Sequence, residues 1–311
     1  LVNEASGYTK PIASLYDLVE AVMGADMPCL PQVEPYFRLT QVKTALFDDM
    51  LKPTRNILFV DINPQKYTQL KTKVSNNYWS TPQAICRIQS PSEEEFVAYW
   101  LEHGEEIRDW FVNQEIKRQI KYYRASTNKQ ARAIMQADGY DMLIPEDYMV
   151  IMDTVLVGAT TYSLRNPITV SPEVHLLWCC NNKGTIRRDI VLYSYPYTDE
   201  NTFTLDYLNA KRDEVLSRVV SASVEGSYMG TEYKVFPPQI RAITVQEDEY
   251  ATEVRGLWKI WDGEAMGGPY VSHTRLDQVN GRVVSVETFL YAAGQKKRTA
   301  LRQAEAILYT L

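Results

Sequence analysis

The residue types best suited to chemistry lie in the second half of the chain, around a glycine-rich segment. Adjacent Gly267 and Gly268 permit the close approach of another backbone or of a ligand. His273 follows on a predicted strand, and Asp277, four residues later, lies on the same face of that strand. Ser272 points to the opposite face, and no GxSxG pattern supplies a nucleophile. These residues offer a base and an acid for a hydrolase-type site but no convergent nucleophile.

The glycine-rich segment itself, residues 263–269, has two interpretations. It is not a phosphate-binding loop, because no Lys-Ser/Thr pair follows and the next element is a strand instead of a helix. It is either a loop that faces a ligand or a bulged connection between two strands. We favour the β-connection.

Arg212 lies on the apolar stripe of a predicted helix, where a charged side chain needs a partner or must extend to solvent. The other members of this stripe are Leu205, Leu208, Leu216 and Val219. The pattern favours a structural ion pair between Arg212 and a carboxylate on the sheet, with ligand binding as the alternative. The side chain of the neighbouring Asp213 is expected to point away from this apolar stripe.

The composition argues against several classes of function. The formal net charge is −6, and no basic arm interleaved with aromatic residues is present, which argues against nucleic-acid binding. The cysteines form no CxxC pair, so we expect buried free thiols in place of a zinc site or a disulfide scaffold. With the three histidines far apart, we predict no metal site, no cofactor and no catalytic set. The sequence contains no run of 18 apolar residues, so no membrane-spanning helix is predicted.

Aromatic residues supply the remaining candidate contacts. The 21 tyrosines are a high number, and tyrosine suits half-buried sheets and wet interfaces because its ring packs while its hydroxyl stays hydrated. A Tyr-rich β-surface is the favoured interpretation, with a ligand platform as the alternative. The candidate contacts for a ligand or partner are Tyr195, Tyr197, Arg212, Trp258, Gly267, Gly268, His273 and Asp277.

Periodicity and capping signals predict the elements that position these residues. In the first half, helices are predicted at residues 12–23, after the capping box Ser92–Glu95 and at 127–138, with strands at 57–62, 69–75 and 83–89. In the second half, strands are predicted at 148–153, 173–180, 189–195, 239–246, 250–261, 269–278 and 282–292. Thr204 is predicted to cap a helix at 205–220, and Thr299 to cap the terminal helix. Asn280-Gly281 predicts a two-residue hairpin turn.

The composition changes near residue 140, which predicts an N-terminal α+β domain at 1–140 and a C-terminal domain at 141–311. The second domain is predicted to be a meandering antiparallel sheet with two helices. The predicted fold class is therefore α+β, with antiparallel sheets and helices packed on one face. The second half also loosely resembles the PsbP/Mog1-type sandwich of sheet and helices.

Several motifs carry a family resemblance. In the second half they are Tyr195–Asp199, Ala210–Asp213, Glu225–Met229, Arg255–Trp258, Met266–His273 and Leu301–Leu311, and in the first half Leu30–Pro35, Arg55–Ile57 and Tyr78–Gln83. Together they resemble domain-of-unknown-function family 4837, a family of uncharacterised predicted lipoproteins of Bacteroides-type bacteria. The Val- and Ile-rich strand that this family shows after an N-terminal Ser-Gly pair is not evident after Ser6-Gly7.

The resemblance implies a location and no activity. Family members carry a secretion signal and a lipid-accepting cysteine, which implies an extracytoplasmic protein whose signal peptide is removed. Association with a membrane would then occur only through a lipid anchor upstream of Leu1. No substrate or catalytic residue is implied.

Two hypotheses of function follow. The favoured one is a non-enzymatic cell-envelope module that binds an envelope protein partner or a small ligand. The alternative is an envelope hydrolase with a site near Gly267-Gly268 and His273, assisted by Asp277 and Arg212. A deep pocket holding His273 and Arg212 would favour an enzyme or ligand site, whereas a flat aromatic surface would favour a protein partner.

Overall fold

The computed structural model describes residues 14–157, 161–162, 167–168, 173–220, 223–245 and 249–311. The segment after Ser6-Gly7, where the family strand is not evident, lies outside these residues. The described chain divides into two compact units. One contains Val33–Arg118 and the described residues before Pro28, and the other contains residues 28–32 and 119–311. The domain boundary placed at residue 140 by composition stays a prediction.

The N-terminal unit is a small sheet with helices. Its elements are α1 (Leu15–Met23), β1 (Asn56–Ile62), β2 (Lys71–Asn76), β3 (Ala84–Ser90) and α2 (Glu93–Tyr123). Strand β3 lies in the centre, parallel to β1 and antiparallel to β2. Ser92 Oγ accepts a hydrogen bond from the Glu95 amide at 3.2 Å, so the predicted start of α2 is confirmed. The predicted apolar face of α2 is buried with β3 in one core that includes Phe96, Trp100, Ile107, Phe111, Cys86 and Ile88.

The C-terminal unit is built on a large antiparallel sheet. Its helices are α3 (Lys129–Ala137), α4 (Leu205–Val219) and α5 (Arg298–Leu308). Its strands are β4 (Met149–Val157), β5 (Thr161–Tyr162), β6 (Pro167–Ile168), β7 (Glu173–Asn181), β8 (Arg187–Pro196), β9 (Tyr228–Glu232), β10 (Gln239–Thr244), β11 (Tyr250–Trp261), β12 (Gly267–Asp277) and β13 (Arg282–Tyr291). The large sheet has the order β10-β11-β12-β13-β8-β7-β4, with β9 also paired to β11, while β5 and β6 pair separately.

Helices α4 and α5 cover opposite faces of this sheet. Leu208 and Leu216 of α4 share a core with Phe289 of β13 and with the even-numbered residues of β11. Glu305 of α5 instead contacts Arg255, an odd-numbered residue of β11. Because successive strand residues point to opposite faces, these two contacts lie on different sides. The class α+β with antiparallel sheets is confirmed, and the expectation of helices on one face is corrected. We call the two sides the α4 face and the α5 face.

Continuous burial explains the two-sided packing. Strands β12 and β13 contain unbroken runs of seven and eight buried residues, so both faces of the central sheet are covered along these runs. Burying one large apolar side chain contributes roughly 1.5–3 kcal/mol, which favours covering both sides. Polar and apolar residues do not alternate regularly along β12 and β13, so the sequence does not indicate which face of the sheet each helix covers.

Local turn and cap geometry matches the sequence in part. The β12–β13 hairpin forms where Asn280-Gly281 predicts it, but Asp277 pairs with Arg282 and the loop is four residues long. The Asp277 carboxylate accepts a hydrogen bond from the Asn280 amide at 3.2 Å, which stabilises this longer turn.

Two other local features differ from the sequence predictions. Strand β9 is not among the strands predicted from the sequence. Helix α5 begins at Arg298 with Lys297 as its cap residue, so the cap predicted at Thr299 is wrong.

Candidate ligand-binding cleft

A cleft of about 270 Å³ opens on the α4 face of the C-terminal unit. Strands β7, β8, β11 and β13, the end of α4 and the β11–β12 connection form its walls. Its lining residues are Trp178, Arg187, Asp189, Val220, Ser223, Trp258, Ile260, Glu264, Met266, Phe289 and Tyr291. Pockets that hold small molecules are typically about 300–1,000 Å³, so the volume of this cleft is just below that range.

Aromatic rings form most of the sheet wall of the cleft. Trp258 lies 5.7 Å from Phe289 and 6.4 Å from Tyr291 between ring centroids, and Trp178 lies 6.5 Å from Phe289. Phe289 and Tyr291 are two residues apart on β13, so alternation places both rings on the same face. The Trp258 indole N–H donates to the Leu290 carbonyl at 3.1 Å. This wall therefore offers a ligand ring surface, with the Trp258 donor already used inside the protein.

An internally neutralised ion pair lies at one side of the cleft. Arg187 donates through Nε and Nη2 to the two carboxylate oxygens of Asp189, at 2.9 Å each. Asp189 is fully buried and also accepts from the Trp178 indole N–H at 2.8 Å. The hydrogen bond to Asp189 is the largest of the effects on the Arg187 guanidinium, whose pKa is raised above its ordinary value. The two opposite charges compensate each other, so this pair leaves little net charge in the cleft.

Glu264 is the polar lining residue whose partner is missing. Its Oε2 atom is buried and has no hydrogen-bond partner among the residues that the structure describes. Its backbone carbonyl accepts from the Met266 amide at 2.7 Å, which fixes the connection that carries it. Buried polar atoms in native proteins nearly always have a partner, so an unpaired carboxylate oxygen in a cleft wall requires an explanation.

Gly267 and Gly268 begin β12 and lie behind the cleft wall. Gly268 pairs with Trp258, and a Cβ atom at Gly268 would lie 2.0 Å from the Leu290 carbonyl oxygen. Only glycine permits that approach of a neighbouring backbone. Residues 263–266 therefore connect β11 to β12, and Gly267–Pro269 belong to β12 itself. Two residues of the same connection, Glu264 and Met266, also line the cleft.

Arg212 is enclosed under α4 and does not line the cleft. It donates through Nε and Nη2 to both carboxylate oxygens of Glu287 on β13, at 2.7 Å each. Its guanidinium also lies 3.9 Å from the centroid of the Tyr270 ring. The predicted ion pair with a sheet carboxylate is confirmed. Asp213 does not point away as expected, because its Oδ1 accepts from Arg212 Nη1 at 3.1 Å and from the Thr231 hydroxyl at 2.7 Å.

His273 belongs to a separate buried network on the α5 face. Its Nε2 lies 3.1 Å from Glu253 Oε2, and its side chain is 1 % exposed. Arg255 and Arg241 donate to the same carboxylate at 2.7 and 2.6 Å. Burial opposes ionisation of Glu253, yet Arg255, His273 and Arg241 hold the pKa of Glu253 well below its usual value. Two arginines and one histidine around a single carboxylate form a structural cluster.

Asp277 is engaged at the hairpin turn. Burial alone would raise its pKa, but hydrogen bonds from Asn280 and Arg282 lower the pKa of Asp277 below its ordinary value. Its Oδ2 accepts from Asn280 Nδ2 at 2.7 Å and from Arg282 Nε at 2.9 Å. The structure therefore gives His273 and Asp277 different partners and does not pair them.

The two candidate tyrosines lie in different surroundings. Tyr195 is 2 % exposed and stacks on Tyr193 at 6.3 Å, which makes it part of the core beneath α4. Burial raises the pKa of Tyr195 well above its usual value. Tyr197 is partly exposed and lies 6.4 Å from the Phe203 ring. Neither tyrosine lines the cleft.

Of the sequence candidates, Trp258 lines the cleft and Gly267-Gly268 support its wall. Residues from β7, β8 and β13 were missed, chiefly Trp178, Arg187, Asp189, Phe289 and Tyr291. A signal was present, because Phe289 and Tyr291 show the alternation of one strand face. That signal says that the two rings share a face and does not say which other strands lie beside them.

The cysteines and acidic residues form no further reactive centre in the described chain. All four thiols are free and buried, as expected, and burial raises the pKa of Cys179 to about 12. Among the described residues, no group of three or more His, Cys, Asp or Glu side chains could hold a metal ion. No described helix is both long and apolar enough to cross a membrane.

Comparison with known families divides the chain in two. Residues 126–310 match a domain of unknown function (DUF4837), and this match covers more than half of the sequence. The chain belongs to the DUF4837 family. Residues 13–124 match a second domain of unknown function (DUF8532). The first-half motifs assigned to DUF4837 on sequence therefore lie in a segment that matches a separate family, while the second-half resemblance is confirmed. No curated protein matches the chain.

Proposed function

We propose that the DUF4837 unit is a non-enzymatic binding module that holds a small, mainly apolar ligand in the aromatic cleft. The observation that carries this proposal is the cleft itself, which is concave, lined by four aromatic rings and bordered by few polar groups. Small-molecule sites have this combination of a ring-lined hollow with a few fixed polar atoms. A small ligand suits it better than a protein partner, for which a flat aromatic surface is the expected feature.

The hydrolase alternative receives less support from the contacts. Arg212 and His273 each contact a buried carboxylate, Glu287 and Glu253 respectively, and neither lines the cleft. A hydrolytic site needs a nucleophile, a base and an acid within reach of one substrate atom. The side chains in question are engaged elsewhere.

We also propose that the protein works outside the cytoplasm, tethered to a membrane by an upstream lipid. This proposal rests on the resemblance to the DUF4837 family, whose members carry a secretion signal and a lipid-accepting cysteine. Metabolic labelling of the full-length protein with a radioactive fatty acid tests it. Absence of label from a membrane-associated protein would argue against a lipid anchor.

Filling the cleft tests the binding proposal. Met266 lines the cleft, whereas Met50 is 88 % exposed in the N-terminal unit, so Met266→Trp and Met50→Trp form a matched pair. Isothermal titration calorimetry with phenylpropanol should detect binding to the wild type and to Met50→Trp. We expect Met266→Trp to bind at least about tenfold more weakly, because the indole occupies the ligand volume. Equal affinity in all three proteins would place binding outside the cleft.

A further inference from the structure

We infer that the ligand of the aromatic cleft carries one ammonium group, which the Glu264 carboxylate receives. This inference rests on the proposed binding function and adds the chemical class of the ligand. It starts from the buried Glu264 Oε2 atom, which has no hydrogen-bond partner among the described residues and belongs to a lining residue.

The charges of the lining residues select a cation. Arg187 and Asp189 form a bidentate pair and compensate each other. Glu264 is the remaining charged residue among those that line the cleft. A neutral ligand without a hydrogen-bond donor would leave the Glu264 carboxylate oxygen unpaired. An anionic ligand would be repelled by the Glu264 carboxylate. A protonated amine supplies both the hydrogen-bond donor and the opposite charge.

The aromatic wall suits the same group. Trp258, Trp178, Phe289 and Tyr291 surround the cleft, and the face of an aromatic ring attracts a cation within about 6 Å. The same wall already accepts a cation from the protein, since the Arg187 guanidinium lies 5.8 Å from the Trp178 ring. An apolar body bearing one ammonium group therefore matches both the rings and the carboxylate.

The size of the cleft limits the body of the ligand. A volume of about 270 Å³ accommodates a single ring with a short chain better than a lipid or a peptide. We therefore choose phenylpropylamine as the cationic probe, with phenylpropanol as its neutral analogue and phenylpropionate as its anionic analogue. The three probes share the apolar body and differ in the terminal group.

The experiment measures the Kd of the three probes by calorimetry for the whole chain and two variants. Glu264→Gln removes the charge and keeps the shape, and Glu200→Gln makes the same change at an exposed position away from the cleft. For the wild type and Glu200→Gln, we expect the amine to bind at least about tenfold more tightly than the alcohol, as a charge-assisted hydrogen bond gives. For Glu264→Gln, we expect that advantage to be largely lost while the Kd of the alcohol is unchanged.

The possible results separate the two proposals. If the alcohol binds as tightly as the amine, the ammonium group is not recognised, although the binding function stands. If phenylpropionate binds most tightly, Arg187 instead of Glu264 recognises the charged group of the ligand, and the inference is overturned. If Glu264→Gln keeps the full preference for the amine, the carboxylate is not the receiving group. If none of the probes binds to the folded wild type, the proposed function fails together with the inference.

Discussion

Replacing Arg212 by Met should strongly destabilise the C-terminal unit. Both Glu287 carboxylate oxygens accept hydrogen bonds from Arg212 at 2.7 Å, and the two residues are 2 % and 0 % exposed. Removing one partner of such a pair leaves a buried charge uncompensated, which costs about 3–5 kcal/mol. We expect the free energy of unfolding to fall by this amount near neutral pH, with a smaller share from the lost contact with Tyr270.

The loss should depend on pH with a definite sign. Burial raises the pKa of Glu287 above its usual value even with Arg212 beside it. In Arg212→Met, the opposing effect of the guanidinium is gone, so folded Glu287 binds its proton more tightly than unfolded Glu287. Between the unfolded and folded pKa values, the free energy of unfolding then falls as pH rises, by up to about 1.4 kcal/mol per pH unit. The variant should be least impaired in acid.

Urea denaturation at about pH 5 and about pH 8, followed by near-ultraviolet circular dichroism, measures both effects. The matched control is Arg132→Met, because the Arg132 side chain is 50 % exposed and its ion pair is at the surface. That change should cost less than about 1 kcal/mol. The double variant Arg212→Met/Glu287→Leu should recover most of the loss, since apolar groups can replace a buried pair. A cost below about 1 kcal/mol for Arg212→Met at about pH 8, or a loss that grows in acid, would refute this reasoning.

Three further outcomes are expected. Gly268→Ala should lower the free energy of unfolding by more than about 2 kcal/mol, because the new Cβ would lie 2.0 Å from the Leu290 carbonyl; an unchanged melting temperature would contradict this. Thr204→Ala removes the cap hydrogen bond from the Tyr207 amide and should cost about 1 kcal/mol, with Thr204→Ser as the control that keeps the cap. Because burial raises the pKa of Cys179 to about 12, a disulfide reagent should modify this thiol only as the protein unfolds; rapid labelling in native buffer would disprove it.

The sequence determines much of the local structure on its own. The start of α2 at Ser92 and the start of α4 at Thr204 match the predicted caps, because a cap depends on residues only three positions apart. The hairpin at Asn280-Gly281 was also located, although its loop length was not. Loop length depends on which residues pair across the strands, and the Asp277 side chain favours the longer turn.

Arg212 shows the point at which local reasoning stops. Its place on an apolar helix stripe requires a buried partner, and this much is readable from the sequence. That the partner is Glu287, 75 residues further along the chain, follows only from the packing of α4 on β13. Tertiary packing also places α5 on the face of the sheet opposite to α4. The expectation that helices cover only one face was therefore wrong.

The cleft was decided by tertiary structure. Trp258 was a candidate on sequence, but Trp178 and Phe289 join it only because β13 pairs with both β12 and β8, and β8 with β7. Every strand shows the same alternation of side chains, so the pattern names the residues of a face without naming the neighbouring strands. Strand order is selected by the burial of the whole sheet between α4 and α5, which no short stretch of sequence contains.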